Sequence, residues 1–175
     1  MSQLLRRHAL LTIPVAGIVY LQWINTANTN VATLGKIFKS GGGNAWNSGG
    51  YIDRTYSGSW LVSGYILNSA KNGCFGWCTN QNYLNPNDSN YDKILFQWAS
   101  GNCQIKQDGA VVYGPVAINS DAKLTFGWNE SNYIFKINDA IIYTSAKAKV
   151  SGELSVVMLN TDTINNGVYN VYQEL

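Results

Sequence analysis

A side-chain nucleophile needs a base beside it, and this chain has a single histidine, His8, close to its N-terminus. The carboxylates are Asp53, Asp88, Asp92, Asp108, Asp121, Asp139, Asp162, Glu130, Glu153 and Glu174, scattered along the chain. Most fall in stretches that read as turns, where an Asp bonds its own backbone. No phosphate-cradling glycine loop, dinucleotide fingerprint or paired-His zinc motif occurs. The expectation is therefore no catalytic residues, no cofactor and no metal. Asp88-Ser89-Asn90-Tyr91-Asp92 has the alternating oxygen ligands that begin a calcium loop. Lys93 then stands where such a loop needs Gly, and Ala99 where it needs a bidentate Glu. Cys74 and Cys78 share a face if their segment is a strand, too far apart for a disulfide, which would need a turn at Gly76. With Cys103 the count is odd, which argues for buried thiols and against a disulfide framework.

What the chain does offer is sugar-binding chemistry. Aromatic rings grip the apolar face of a sugar, and Asn, Asp and Gln bond its hydroxyls. Six Trp and eleven Tyr are present, with Asn in nearly every loop. The richest mixture is Trp77-Cys78-Thr79-Asn80-Gln81-Asn82-Tyr83. Trp77, Asn80, Asn82 and Tyr83 are the candidate ligand residues, with Trp46 as a further exposed ring. For Trp46 the competing reading is a plug at the end of the fold. Trp60, Trp98 and Trp128 lie inside apolar runs and are expected in the core.

The elements that must carry these residues are strands. Runs over 60–68, 91–98, 102–107, 110–113, 123–128, 132–137, 137–143, 153–159 and 168–172 are separated by turn signals such as Asp108-Gly109, Asn138-Asp139 and Asn165-Asn166-Gly167. Turns recur every 8 to 12 residues, the rhythm of a sandwich or barrel. No segment after residue 40 keeps a helical period. Residues 31–38 read as a short strand or a helical turn. Five glycines between Ser40 and Gly50 suggest a connector, which divides the chain into an N-terminal arm with its connector (1–50) and a β-sandwich (51–175).

Charged residues make up 13% of the chain, about half the usual share, so the surface is built of Asn, Ser, Thr, Gly and Tyr. A net charge of +2 leaves no electrostatic footprint for nucleic acid. Arg6 and Arg7 precede an apolar stretch from Ala9 to Leu21, too short to be a stable membrane span. That stretch has two readings. In one, residues 1–27 are a signal peptide. In the other, Leu4, Leu5, Arg6, Arg7, Leu10 and Leu11 form an anchor that docks on a partner.

Three successive hairpins carry a family resemblance. They are Lys93–Trp98 with Cys103-Gln104-Ile105, then Asp121–Trp128, then Tyr133–Ser145 with Asn138-Asp139 where the family commonly has Asn-Gly. Over roughly residues 55–172 the chain resembles the concanavalin A-like (laminin-G or lectin type) jelly roll, including domains of that type in bacteriophage virion proteins. The resemblance implies an all-β antiparallel sandwich with an extended N-terminal arm. Glycoside hydrolases of that superfamily resembling the laminarinase group carry Glu-x-Asp-x-x-Glu on one strand, and no such run occurs here.

The function expected is that of a non-enzymatic virion structural protein, a capsid-decorating, fibre or receptor-binding subunit. The arm would hold it to other virion proteins, and the outer loops could touch a surface glycan. The uncharged, aromatic-rich surface suggests a homo-oligomer, with a trimer favoured. The alternative is a secreted or cell-surface carbohydrate-binding module.

Overall fold

In a computed structural model the described residues are 18–32, 35–41, 43–52, 56, 58–79, 86–87, 92–149, 154–159 and 166–174. They form fifteen strands: β1 (Ile18–Tyr20), β2 (Ile24–Ala27), β3 (Thr29–Ala32), β4 (Lys36–Lys39), β5 (Ser48–Ile52), β6 (Trp60–Ile66), β7 (Gly73–Cys78), β8 (Lys93–Ala99), β9 (Asn102–Gln107), β10 (Ala110–Ala117), β11 (Lys123–Trp128), β12 (Tyr133–Ile137), β13 (Ala140–Ser145), β14 (Leu154–Leu159) and β15 (Gly167–Glu174). One sheet runs β13-β12-β11-β6-β15-β4-β3, with β1 also on β15, and the other runs β10-β9-β8-β7-β14-β5-β2. Every pairing is antiparallel. The expected all-β antiparallel sandwich is therefore observed.

The hairpins close by the turn chemistry of their residues. Ser100-Gly101, Asp108-Gly109 and Asn138-Asp139 all have positive φ at both positions, as a two-residue type I′ turn requires. Asp139 reaches φ 68° without a glycine, because its short polar side chain tolerates the left-handed region. Its carboxylate also holds the Lys123 ammonium at 2.8 Å. The β11–β12 turn is an Asx type, with Asn129 Oδ1 accepting from the backbone N–H groups of Ser131 and Asn132.

Alternation along the strands aims one set of side chains between the sheets. On β8 these are Ile94, Phe96 and Trp98, on β7 Phe75 and Trp77, and on β11 Leu124, Phe126 and Trp128, all members of one buried cluster. Rings cross from sheet to sheet: Trp77 stacks on Tyr133 at 4.7 Å, Phe75 meets Phe126 edge-on at 4.9 Å, and Phe96 meets Phe135 at 5.0 Å. Trp60, Trp98 and Trp128 are buried as expected.

The 74–78 segment is strand β7 with no turn at Gly76. A Cβ there would lie 2.4 Å from the Ile94 carbonyl oxygen, so this position keeps its neighbour close only as glycine. Cys74, Cys78 and Cys103 are buried, and no disulfide joins them. Burial pushes the Cys103 thiol up to about 12 and the Cys74 thiol higher still.

The N-terminal third departs from the expected division at residue 50. Residues 18–39 are not an arm: β1 pairs with β15, β4 extends the same sheet with β3 outside it, and β2 pairs with β5. The glycine-rich stretch is not a free connector either, since β5 begins at Ser48 and is buried throughout. The physical reason is that Leu21, Trp23 and Ile37 are buried members of the core, and the Trp23 indole N–H donates to the Gly35 carbonyl at 2.7 Å. Gly35 (φ 67°) sits so close to β15 that a Cβ would come within 2.6 Å of the Val171 carbonyl oxygen. The proposed anchor residues Leu4, Leu5, Arg6, Arg7, Leu10 and Leu11 lie outside the described residues.

This arrangement makes a prediction about truncation. A chain starting at residue 25 loses β1, Leu21 and Trp23. Unburying those two side chains costs roughly 3–6 kcal/mol at 1.5–3 kcal/mol each, comparable to the whole stability of many domains. The truncated chain is expected to lose its cooperative thermal transition by circular dichroism. An unchanged melt would show that the segment is dispensable.

Candidate functional site

The structure disperses the residues that sequence reasoning had grouped. Trp77 is fully buried (0% exposed). It points inward because β7 alternates and Phe75 and Trp77 share its inner face. It is a core residue and cannot offer its ring to a ligand. Asn80, Asn82 and Tyr83 lie outside the described residues, as do Asp88, Ser89, Asn90 and Tyr91 of the calcium-like run. Trp46 is half-buried in the loop between β4 and β5. That loop is held down by the Lys39 ammonium, which donates to the Ala45 carbonyl at 3.1 Å.

The two sheets present very different outer faces. On the β7–β8 part of the second sheet the outward positions are Cys74, Cys78, Lys93 and Leu95, and all four are buried. Between β7 and β8, Pro86 is buried, and the Lys106 ammonium donates to the Asn87 side-chain carbonyl. Further along the same sheet lies a depression of about 130 Å³ lined by Gln97, Ala99, Asn102, Cys103, Gln104 and Pro115. The Gln104 amide donates to Gln97 Oε1 at 2.8 Å. It has amides but no ring.

The outer face of the first sheet has both rings and polar groups, and its geometry begins with an irregularity in β15. Asn170 adopts φ 47°, and the pairing with β6 slips between Tyr169 and Tyr172. One extra residue on β15 is a bulge. Its effect is that residues three apart face the same way. Val168 and Val171 both enter the core, and Tyr169 and Tyr172 both turn to the other side of the sheet, where Tyr169 is partly exposed and Tyr172 is buried beneath its neighbours. Tyr169 stands opposite Tyr65 on β6, rings 5.5 Å apart, and Tyr172 stands opposite Ser63 and meets Tyr20 of β1 at 6.2 Å.

Polar groups surround these rings. The Lys123 ammonium lies over the Tyr172 ring at 5.7 Å and is paired with Asp139 at 2.8 Å and Glu174 at 3.1 Å. The Ser63 hydroxyl donates to Glu174 Oε1 at 2.7 Å and shares a 2.7 Å contact with the Thr125 hydroxyl. The Tyr169 hydroxyl donates to Asp121 at 3.0 Å. Burial lowers the affinity of Lys123 for its proton, but hydrogen bonds to Asp139, Tyr172 and Glu174 outweigh it and raise the pKa. Burial and the neighbouring Tyr172 raise Tyr65, while burial and the Asp121 hydrogen bond raise Tyr169. At neutral pH the face therefore holds neutral phenols and a charged ammonium. Such a surface can stack a flat apolar ligand face and bond hydroxyl groups around it.

Four of the described carboxylates are paired with lysines. Asp92 and Asp108 both hold Lys147, at 2.6 and 2.7 Å, and Asp139 and Glu174 hold Lys123. Among the described residues no cluster of three or more His, Cys, Asp or Glu could hold a metal ion. The Lys147 pairing ties the segment after β13 to the ends of β8 and β9. Burial pulls its pKa down, yet the hydrogen bonds to Asp108 and Asp92 leave it raised. A cation with a raised folded pKa stabilises below its unfolded value near 10.5 and loses that contribution as pH climbs through the folded value. Asp92 is half exposed, so Lys147→Met should cost no more than about 1 kcal/mol after solvent screening. In paired thermal melts the gap between wild type and variant should be present at pH 7 and shrink above pH 11. A gap that persists there would show that packing, not charge, is what Lys147 supplies.

Sequence reasoning missed the tyrosine face. Tyr65 was readable, since it alternates with Val62, Gly64 and Ile66 on β6. Tyr169 and Tyr172 were not, because the bulge replaces the period of two with a spacing of three.

No protein-family model matches the sequence, and comparison with curated proteins finds no match either. Solved structures do match. The SPRY domain of human HERC1 superimposes with a TM-score of 0.65 at 14% identity, covering 88% of this chain and 98% of that one. The metal-free carbohydrate recognition domain of Emp46p gives 0.60 at 10% identity, covering 87% of each chain. A Bacillus licheniformis β-glucanase gives 0.56 at 12%, covering 93% of this chain and 94% of that one. At such identities the likeness establishes the fold alone, a jelly-roll β-sandwich. Nothing in these likenesses points to a bacteriophage.

Proposed function

We propose that this chain is a non-catalytic glycan-binding domain whose ligand lies on the tyrosine-lined outer face of the β1-containing sheet. One observation carries the reading. Tyr65 and Tyr169 stand partly exposed on one face, beside the buried Tyr172 and with Lys123, Asp121 and Glu174 among them, so stacking surface and hydroxyl-bonding groups converge. The carbohydrate recognition domain among the structural neighbours makes a sugar ligand a natural use of this fold, although a fold does not fix a function. Among the described residues, the carboxylates paired with lysine lend no support to a hydrolytic role. Asp92, Asp108, Asp139 and Glu174 are each tied to a lysine, and none stands as a free acid opposite a free base.

The setting we infer from the sequence resemblance is a virion surface, with other virion proteins and further copies of the chain as partners. The alternative, a secreted carbohydrate-binding module cleaved after residue 27, would lose β1 from the sheet and Leu21 and Trp23 from the core. Intact-mass measurement of natively produced protein separates them: a mass lacking the first 27 residues would overturn the virion setting. The function itself is tested by printing a broad neutral glycan array against the full-length chain and confirming hits by calorimetry. Saturable binding to a defined glycan is expected. Absence of binding across the array would overturn the reading.

A further inference from the structure

The tyrosine face does not end at Tyr172. The registers place Tyr20 of β1 directly beside it, and Tyr20 is 38% exposed. On its other side Tyr20 forms one wall of a cleft of about 310 Å³, whose lining includes Gln22, Val31 and Gly35. The cleft lies where the edge of β15 passes from β4, paired at Gly167 and Val168, to β1, paired at Tyr172–Glu174. Gly35 lies against Val171 between the two. Stacking surface and cleft thus share one ring.

From this geometry we infer that the site takes an internal stretch of a neutral oligosaccharide chain, laid across the strands, with one sugar seated in the Tyr20 cleft. The inference rests on the glycan-binding reading. The path from Lys123 on β11 over β6 and β15 to Tyr20 on β1 crosses three strand spacings, about 14 Å, longer than a single sugar ring. The path also has the shape a chain needs. The Tyr65–Tyr169 pair forms one stacking surface and Tyr20 another, with Tyr172 joining them. The charge on this face selects against acidic glycans. Lys123 is already shared between Asp139 and Glu174, and the exposed carboxylate of Asp121 would repel a uronic acid or a sulfate. Val31, 45% exposed, also lines the cleft and carries no charge.

The test titrates the full-length chain with β-glucan, mannan and chitin oligosaccharides of one to six residues by calorimetry. Wild type is compared with Tyr20→Ala, with Val31→Asp and with the Tyr65→Ala/Tyr169→Ala pair, each checked by thermal melt. In one series affinity should rise at least about tenfold between the shortest ligand that binds and the longest. Tyr20→Ala and Val31→Asp should both remove that gain, so that the longest ligand binds no more tightly than the shortest. An affinity independent of length, or a gain that both variants keep, overturns the extended-chain inference and leaves the glycan-binding reading standing. No binding in any series, or binding indifferent to the Tyr65 and Tyr169 changes, overturns both.

Discussion

Replacing Tyr65 and Tyr169 together by alanine is expected to weaken glycan binding by about 30- to 100-fold while the protein stays folded. The two rings stand opposite each other on adjacent strands, 5.5 Å apart, and form the middle of the outer face. A ring that stacks on a ligand contributes roughly 1 to 1.5 kcal/mol beyond what its area removes from water, so two account for about that factor. Both rings are partly exposed, and their backbones remain in central strands. Loss of the cross-strand pair should therefore cost only about 1 kcal/mol of stability. Calorimetric titration with the best array ligand, paired with a thermal melt, separates the two quantities. A variant that melts like wild type and binds like wild type would remove the tyrosine pair from the site. Tyr→Phe at the same positions should keep most of the affinity at Tyr65 and lose more at Tyr169, whose hydroxyl orients Asp121.

Trp77→Ala should have the opposite signature. Trp77 stacks on Tyr133 and is enclosed between the sheets. Removing a buried ring of this size leaves a cavity and costs about 3–5 kcal/mol. For a domain of this length that lowers the melting temperature by roughly 10 °C. Where the variant remains folded, its glycan affinity should equal that of wild type. A large drop in affinity without a drop in melting temperature would return Trp77 to the ligand site, where its sequence neighbourhood had placed it. Trp77→Phe, which keeps an apolar ring, should recover most of the stability.

These two variants also show what the sequence could reveal. Strands and hairpins were legible because alternation and turn residues are local signals. Asp108-Gly109 closes β9–β10 and Asn138-Asp139 closes β12–β13 as their chemistry demands. The core tryptophans Trp60, Trp98 and Trp128 were legible for the same reason. Trp77 was misassigned because it adjoins a polar, Asn-rich stretch. Composition there suggested an exposed ring, while β7 runs from Gly73 to Cys78 and is buried along its whole length. The first 50 residues were misdivided because glycines suggested a connector. Ser48-Gly49-Gly50 is instead a buried strand, with Gly50 so close to Ile37 that a Cβ would come within 2.9 Å of its side chain. The candidate site was the least legible feature. It depends on four strands distant in sequence, β1, β6, β11 and β15, and on a bulge at Asn170 that no alternation pattern reveals.

The most direct test of the central claim is a map of amide chemical-shift changes when the best-binding neutral oligosaccharide is added to isotopically labelled full-length protein. The account predicts that the largest changes fall on Tyr20, Tyr65, Lys123, Tyr169 and Tyr172, with Gln97, Asn102 and Gln104 unmoved. Changes centred on Gln97, Asn102 and Gln104, with the tyrosine face silent, would place the ligand on the opposite sheet and contradict it.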